Sequence, residues 1–211
     1  MKIVFVQKLI DKIRGKKNRN IFDYGIGNKI SFAPNKNGKK VKIYIYGDNN
    51  EIVIKSSLRC IMNIYVGLSD CPVSNCKIII GENTSIAGMD IRICEDYVNL
   101  CIGNNCLLSD YIKVFCSDMH TIYDSENNVI NRGKNLIIGN HVWIGTGVNI
   151  AKNSIISDNC VVGMKSVVAG KFEEPNCVIA GNPARVVKRK VNWDRLPIPS
   201  FDKKRTETDN I

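Results

Sequence analysis

Between Ile138 and Val168 an aliphatic residue recurs at every sixth position: Ile138, Ile144, Ile150, Ile156, Val162 and Val168. Cut into sixes, the segment reads IIGNHV, WIGTGV, NIAKNS, IISDNC, VVGMKS, VVAG. A small or modest side chain closes each complete six: Val142, Val148, Ser154, Cys160 and Ser166. Neither a helical period of about 3.6 nor a strand period of 2 selects a strict six. A solenoid does, when each flat side is a short parallel strand with one side chain pointing inward. Three sides close a triangular coil. The aliphatic residue fills the interior, and the small one sits near a corner where a larger one would collide. The pattern predicts an all-β parallel solenoid.

Upstream the repeat loosens. Ile102-Gly103 opens another unit, followed by Leu108 and Val114, and Ile80-Gly81 lies six before Ile86. The register breaks near Ile91 and Ile93. Val41–Tyr46, Glu51–Ile54 and Ile78–Ile80 alternate and are rich in β-branched residues, with Gly47-Asp48-Asn49-Asn50 as a turn. They read as irregular early coils, with a separate small antiparallel domain as the alternative. The expected organisation is a basic arm and lead-in over 1–40, a β-helix over 41–182 with an excursion loop at about 115–136, and a basic tail over 183–211.

Composition narrows the function. With 211 residues, one domain is the natural expectation. No stretch has the length and apolarity of a membrane span. Met1–Leu9 lacks a signal-like apolar region with a small-residue cleavage site, so a cytoplasmic protein is expected. The nine cysteines show no C-x-x-C spacing, and Cys106 and Cys160 fall on small positions of the repeat. They read as buried thiols acting as small hydrophobes. Cys71 and Cys76 bracket a turn without further ligands nearby, so no metal is expected. The net charge of +10 is concentrated at the ends. Residues 1–20 hold seven Lys/Arg against one Asp, and residues 185–205 hold eight against two. Such ends suit a polyanion or the anionic inner face of a membrane, or serve only as solvated termini. No nucleic-acid-binding motif accompanies them, and nucleic acid is not an expected partner.

Candidate chemistry rests on few residues. His120 lies in a polar stretch, Ser117 to about Asn135, where the hexads stop before Ile137-Ile138-Gly139 resumes them. Polar insertions on rigid scaffolds commonly carry function. Imidazole suits proton transfer near neutral pH. His141, in Gly139-Asn140-His141-Val142, reads as an exposed corner residue. Trp143 opens a hexad, where an outward side chain is expected, and marks a subunit contact, a ligand site or both.

His120 and its loop, Ile-Gly-Asn-His-Val-Trp-Ile-Gly at 138–145, the continuous hexads and Ile179-Ala-Gly-Asn-Pro-Ala-Arg-Val-Val-Lys188 together resemble the hexapeptide-repeat acyltransferases. The branch it resembles is that of galactoside and xenobiotic acetyltransferases and the related capsular polysaccharide O-acetyltransferases, with the His120 loop similar to that of the polysialic acid type. The resemblance implies a left-handed parallel β-helix and a homotrimer, with acetyl-coenzyme A in the cleft between neighbouring coils. It implies His120 as general base toward a sugar hydroxyl, and Trp143 at the thioester end of the co-substrate. Thr146, Gly163, Met164, Lys171, Arg185 and Lys188 match co-substrate-binding positions. Met164 departs from the small residue common there. Ala169-Gly170-Lys171 is one residue longer than the family's usual turn.

The expected activity is therefore acetyl transfer to a hydroxyl of a cell-surface glycan, in particular an acidic, sialic-acid-containing capsule. An N-acetyltransferase acting on a nucleotide-linked amino sugar, or a non-enzymatic solenoid, remains the alternative. A metal-dependent carbonic anhydrase on this scaffold needs three histidine ligands, and the chain has two histidines.

Overall fold

The computed structural model describes residues 20–34 and 39–208. Their short strands wind through three flat faces in turn, here called A, B and C. Face C holds Lys29–Phe32, Glu51–Ile54, Lys77–Ile80, Asn99–Ile102, Leu136–Ile138, Ile155–Ile156 and Lys171–Phe172, each parallel to the next. Face A pairs 85–86 with Leu107–Leu108, then Trp143–Ile144, Val161–Val162 and Val178–Gly181. Face B pairs 89–92 with Ile112–Phe115, then Asn149–Ile150 and Val167–Val168. The long strands Lys39–Ile45, Cys60–Val66 and Ser85–Ile93 run round from face A to face B, with one shift of register between Cys60 and Met62 where the second pairs with the third.

The hexad explains this winding. All six repeat aliphatics are buried to 1 % exposure or less, as are the five side chains that close the sixes. Each of the two hexad coils thus places three repeat aliphatics inside, each contributing about 2 kcal/mol by burial. The corners need left-handed backbone. Asn83, Asn105, His141, Asn159 and Asn176 fill one equivalent corner, between faces C and A, with φ of 52–59°. Asparagine tolerates that conformation better than most residues. His141 therefore occupies a backbone-determined position.

The early segments are parallel coils of the same helix, as read from the sequence, and not the alternative antiparallel domain. Two expectations need correction. The helix begins before residue 41: Ile21–Asp23 and Lys29–Phe32 pair in parallel with the next coil, and Ile21 and Ile30 pack on the core. Of the basic arm, residues 1–19 lie outside the described residues. The region after 182 is more than a tail. Ala184–Lys188 folds back antiparallel on Val178–Gly181. Residues 189–196 then return along the C–A corner as a strap. The Trp193 indole stacks on His141 with centroids 4.3 Å apart and donates Nε1–H to the His141 carbonyl at 2.8 Å. Arg195 donates to the carbonyls of Asn83 at 2.8 Å and Cys106 at 2.6 Å. A helix, Ile198–Thr208, follows. No helix among the described residues is long and apolar enough to cross a membrane.

Candidate functional site

The chain leaves the helix after Phe115, at the corner between faces B and C, and rejoins it at Leu136. Equivalent corner residues lie 18 apart in the regular coils, as in Asn140 and Asp158, but 36 apart across this excursion, as in Asn104 and Asn140. The coil beneath is thus undisturbed. The root of the loop is pinned to the coil before it. The Cys94 N–H donates to Ser117 Oγ at 2.6 Å, and the Gly133 N–H donates to Glu95 Oε1 at 2.6 Å. Lys152, on the coil after it, reaches up to the Asp118 carboxylate and to the Asn131 carbonyl at 2.7 Å. The hydrogen bond from Lys152 holds the Asp118 carboxyl below the usual range.

Asn131 ties the loop across its neck. Its amide donates to Asp118 Oδ2 and to the His120 carbonyl, both at 2.8 Å, and its Oδ1 accepts from the Ile122 N–H at 2.8 Å. His120 is therefore held by its backbone while its side chain is exposed to solvent. Beyond it a small hairpin closes around Asp124, whose Oδ1 accepts from the N–H groups of Glu126 and Asn128 at 2.9 Å.

A second group of predicted residues lies elsewhere. Trp143 projects from face A, 39 % exposed. Thr146, Gly163 and Met164 follow at the corner between faces A and B, with Met164 72 % exposed. Arg185 and Lys188 stand exposed on the returning strand beside face A. Thr146 Oγ1 donates to Asp110 Oδ1 at 2.7 Å, a partner the sequence reading missed because it lies one coil and a whole excursion away.

Two depressions meet at Asp110 and Ala87. One, of 490 Å³, runs along face A past Arg59, Ser85, Leu107, Ser109, Trp143 and Thr146. The other, of 390 Å³, passes the A–B corner to Asn63, Asp90, Tyr111 and Lys113 on face B. Asn63 Nδ2 donates to Asp90 Oδ1 at 2.7 Å.

Lys171 belongs to neither group on face A. The corner before it is short, so Lys171 already lies in the next face C strand, opposite Ile155. It flanks the B–C corner from which the His120 loop springs. His141, read as an exposed corner residue, is instead partly covered by Trp193, with Nδ1 3.1 Å from Asn159 Oδ1. Among the cysteines, six are buried, and burial pushes Cys76 up to about 11 and Cys116 up to about 12. Cys71 and Cys101 are exposed, contrary to a uniform buried-thiol reading, because they stand on outward positions.

The fold and both groups of residues can be set beside known proteins. No family model matches the chain. A polysialic acid O-acetyltransferase of Neisseria meningitidis is 35 % identical over 191 residues, covering 82 % of this chain and 88 % of that one. A polysialic acid O-acetyltransferase of Escherichia coli O1:K1 is 33 % identical over 132 residues, covering 61 % of this chain and 42 % of that one. The crystal structure of a polysialic acid O-acetyltransferase superposes with a TM-score of 0.67 at 30 % identity, over 89 % of this chain and 98 % of the other. With such relatives the coils are those of a left-handed parallel β-helix, as expected. The protein is an acyltransferase, and the chain belongs to the hexapeptide-repeat acetyltransferase family.

Proposed function

We propose that the protein transfers an acetyl group from acetyl-coenzyme A to a hydroxyl of an acidic capsular polysaccharide, with His120 as general base. The observation that carries this reading is the division of the candidate residues between two corners. Trp143, Thr146, Gly163, Met164, Arg185 and Lys188 lie on face A and its corner with face B. His120 and Lys171 lie at the corner between faces B and C, which is opposite face A. Within one chain the two groups cannot converge. They converge when the A–B corner of one copy meets the B–C corner of the next, which is a cyclic arrangement with face B toward the axis.

We take the ring to be a homotrimer, as the family resemblance implies. It would cover an aromatic column on face B. Phe22 stacks on Tyr44 at 4.7 Å, Tyr44 on Tyr65 at 5.2 Å, and the Arg92 guanidinium lies 4.8 Å over Tyr65. A half-exposed column of this kind is ordinary at a subunit contact.

The residues on and beside face A suit the donor. Arg185 and Lys188 are exposed cations for phosphates, with Arg able to bind two oxygens at once. Met164 and Trp143 offer exposed apolar surface to a thin acyl-bearing arm. Acetyl-coenzyme A supplies the acetyl group as a thioester. The acceptor hydroxyl is too weak an acid to ionise beforehand. The His120 imidazole takes its proton as the oxygen bonds to the acetyl carbon, and returns it to the thiolate as the C–S bond breaks. Lys171 would reach the same cleft from the neighbouring copy. No step requires a metal ion.

The acceptor class is supported by relatives that are named polysialic acid O-acetyltransferases. Incubation with acetyl-coenzyme A and a panel of acidic and neutral glycans, read by mass spectrometry, should give O-acetyl ester on the acidic polymer. Amide product on an amino sugar would replace this reading with N-acetyl transfer.

A further inference from the structure

The depression along face A has a charge pattern that the donor does not use. One outward residue per coil lines it: Ser85, Leu107 and Trp143 are aligned by register, and Arg59, just before Cys60, lies next to Ser85 in the same ladder. The strap runs beside it. Trp193 lies 6.0 Å from Trp143, and Arg195 reaches Ser85 Oγ at 3.5 Å while holding the Asn83 and Cys106 carbonyls. The donor cations Arg185 and Lys188 stand on the C-terminal side of Trp143, and Arg59 and Arg195 on its N-terminal side.

Both arginines are exposed. Among the described residues the ion pairs join Lys77 to Glu51, Lys152 to Asp118 and Arg189 to Glu174, and none includes Arg59 or Arg195. Arg195 is held by neutral carbonyls, so its charge is positioned without being neutralised. Asp110 lies where the two depressions meet, and the adjoining one also carries Asp90 and Lys113. The carboxylate of an acidic sugar is drawn to the arginine end rather than to that junction. With coils about 4.8 Å apart, Arg195 stands about 10 Å from Trp143, at the level of Ser85.

We infer that Arg59 and Arg195 form a carboxylate subsite for the acceptor chain, with the strap holding one of its two cations. The glycan lies along face A, one acidic sugar on the arginines and a neighbouring hydroxyl at Trp143 and Asp110. This rests on the acceptor class proposed above. It adds that the returning C-terminal segment selects the acceptor.

The test uses the full chain with soluble polysialic acid and its carboxyl-reduced, neutral form. Arg59→Gln touches no strap contact and should raise the KM for the acidic polymer about tenfold, with the KM for acetyl-coenzyme A unchanged. Arg195→Gln should do the same, and Arg195→Lys should recover part of the loss. Equilibrium binding of the acidic polymer, measured without donor, should weaken in parallel, whereas the neutral polymer should bind wild type and Arg59→Gln alike. A rise in the KM for acetyl-coenzyme A with polymer affinity intact would move the arginines to the donor site and overturn the inference. So would equal discrimination between acidic and neutral polymer in wild type and Arg59→Gln. Arginine-dependent binding without O-acetyl product would leave the subsite standing while removing the proposed reaction. Product formation with arginine-independent affinity would do the reverse.

Discussion

The side-chain amide of Asn131 donates to the backbone carbonyl of His120 at 2.8 Å, eleven residues back along the loop. The same amide holds Asp118, and Asp118 is held by Lys152 on the scaffold. The proposed base, His120, is thus positioned through its main chain, on a relay from a rigid corner, while its ring stays exposed. General-base catalysis depends on such placement, because small displacements of the base cost rate steeply.

Asn131→Ala should lower kcat by about tenfold or more, with the KM for acetyl-coenzyme A little changed, because the substitution frees the loop and touches no residue on face A. Steady-state kinetics check it. Loss of donor affinity instead would mean that Asn131 serves another purpose.

His120→Ala should reduce kcat by about 10²–10⁴ without weakening donor binding. Activity should also decline toward acid pH, because imidazolium cannot accept a proton. His141→Ala should be far milder in turnover, since that ring packs under Trp193. An active His120→Ala protein would remove the mechanism.

The Asp118–Lys152 pair links loop order to pH. The folded carboxyl is held below its usual value by the hydrogen bond from Lys152. Its stabilisation is therefore fully present above the unfolded carboxylate value, about 3.9, and is lost as pH falls through the lower folded value. Protection of the amides in 117–135, measured relative to intrinsic exchange, should fall ahead of that of the coils as pH drops below the usual carboxylate range, and Asp118→Asn should show the weaker protection already at neutral pH. Uniform exchange across loop and coils would contradict this.

Gly81, Gly103 and Gly139 form a column at the C–A corner where each coil presses on the next. A Cβ on Gly103 would sit 2.5 Å from the Gly139 carbonyl oxygen. Gly103→Ala should destabilise by about 1–3 kcal/mol, seen as a fall of several degrees in melting temperature. An unchanged melting temperature would show that the corner yields more readily than its packing suggests.

Part of this was legible in the sequence and part was not. The hexads from Ile138 to Val168 fixed inward and corner positions residue by residue, because a solenoid repeats one local packing problem. The loop around His120 stood out as the interruption of that repeat. Ile21–Asp23 and Lys29–Phe32 were missed because two short apolar stretches separated by glycines carry no period until they pair with the next coil. The strap was missed for a different reason. Trp193 and Arg195 act on His141 and on Asn83 and Cys106, contacts across 52 to 112 residues that no local pattern encodes. The face on which Lys171 falls depends on the length of one corner, which motif matching does not supply.

The central claim is that the base comes from one copy and the donor-binding surface from the next. Co-expression of His120→Ala chains with Trp143→Ala chains tests it most directly. Each parent alone should be nearly inactive. The randomly assembled population should regain about a quarter of wild-type turnover, because each mixed trimer holds one site with an intact half from each neighbour. Recovery on mixing is the predicted result, and mixed assemblies no more active than the parents would contradict a site shared between copies.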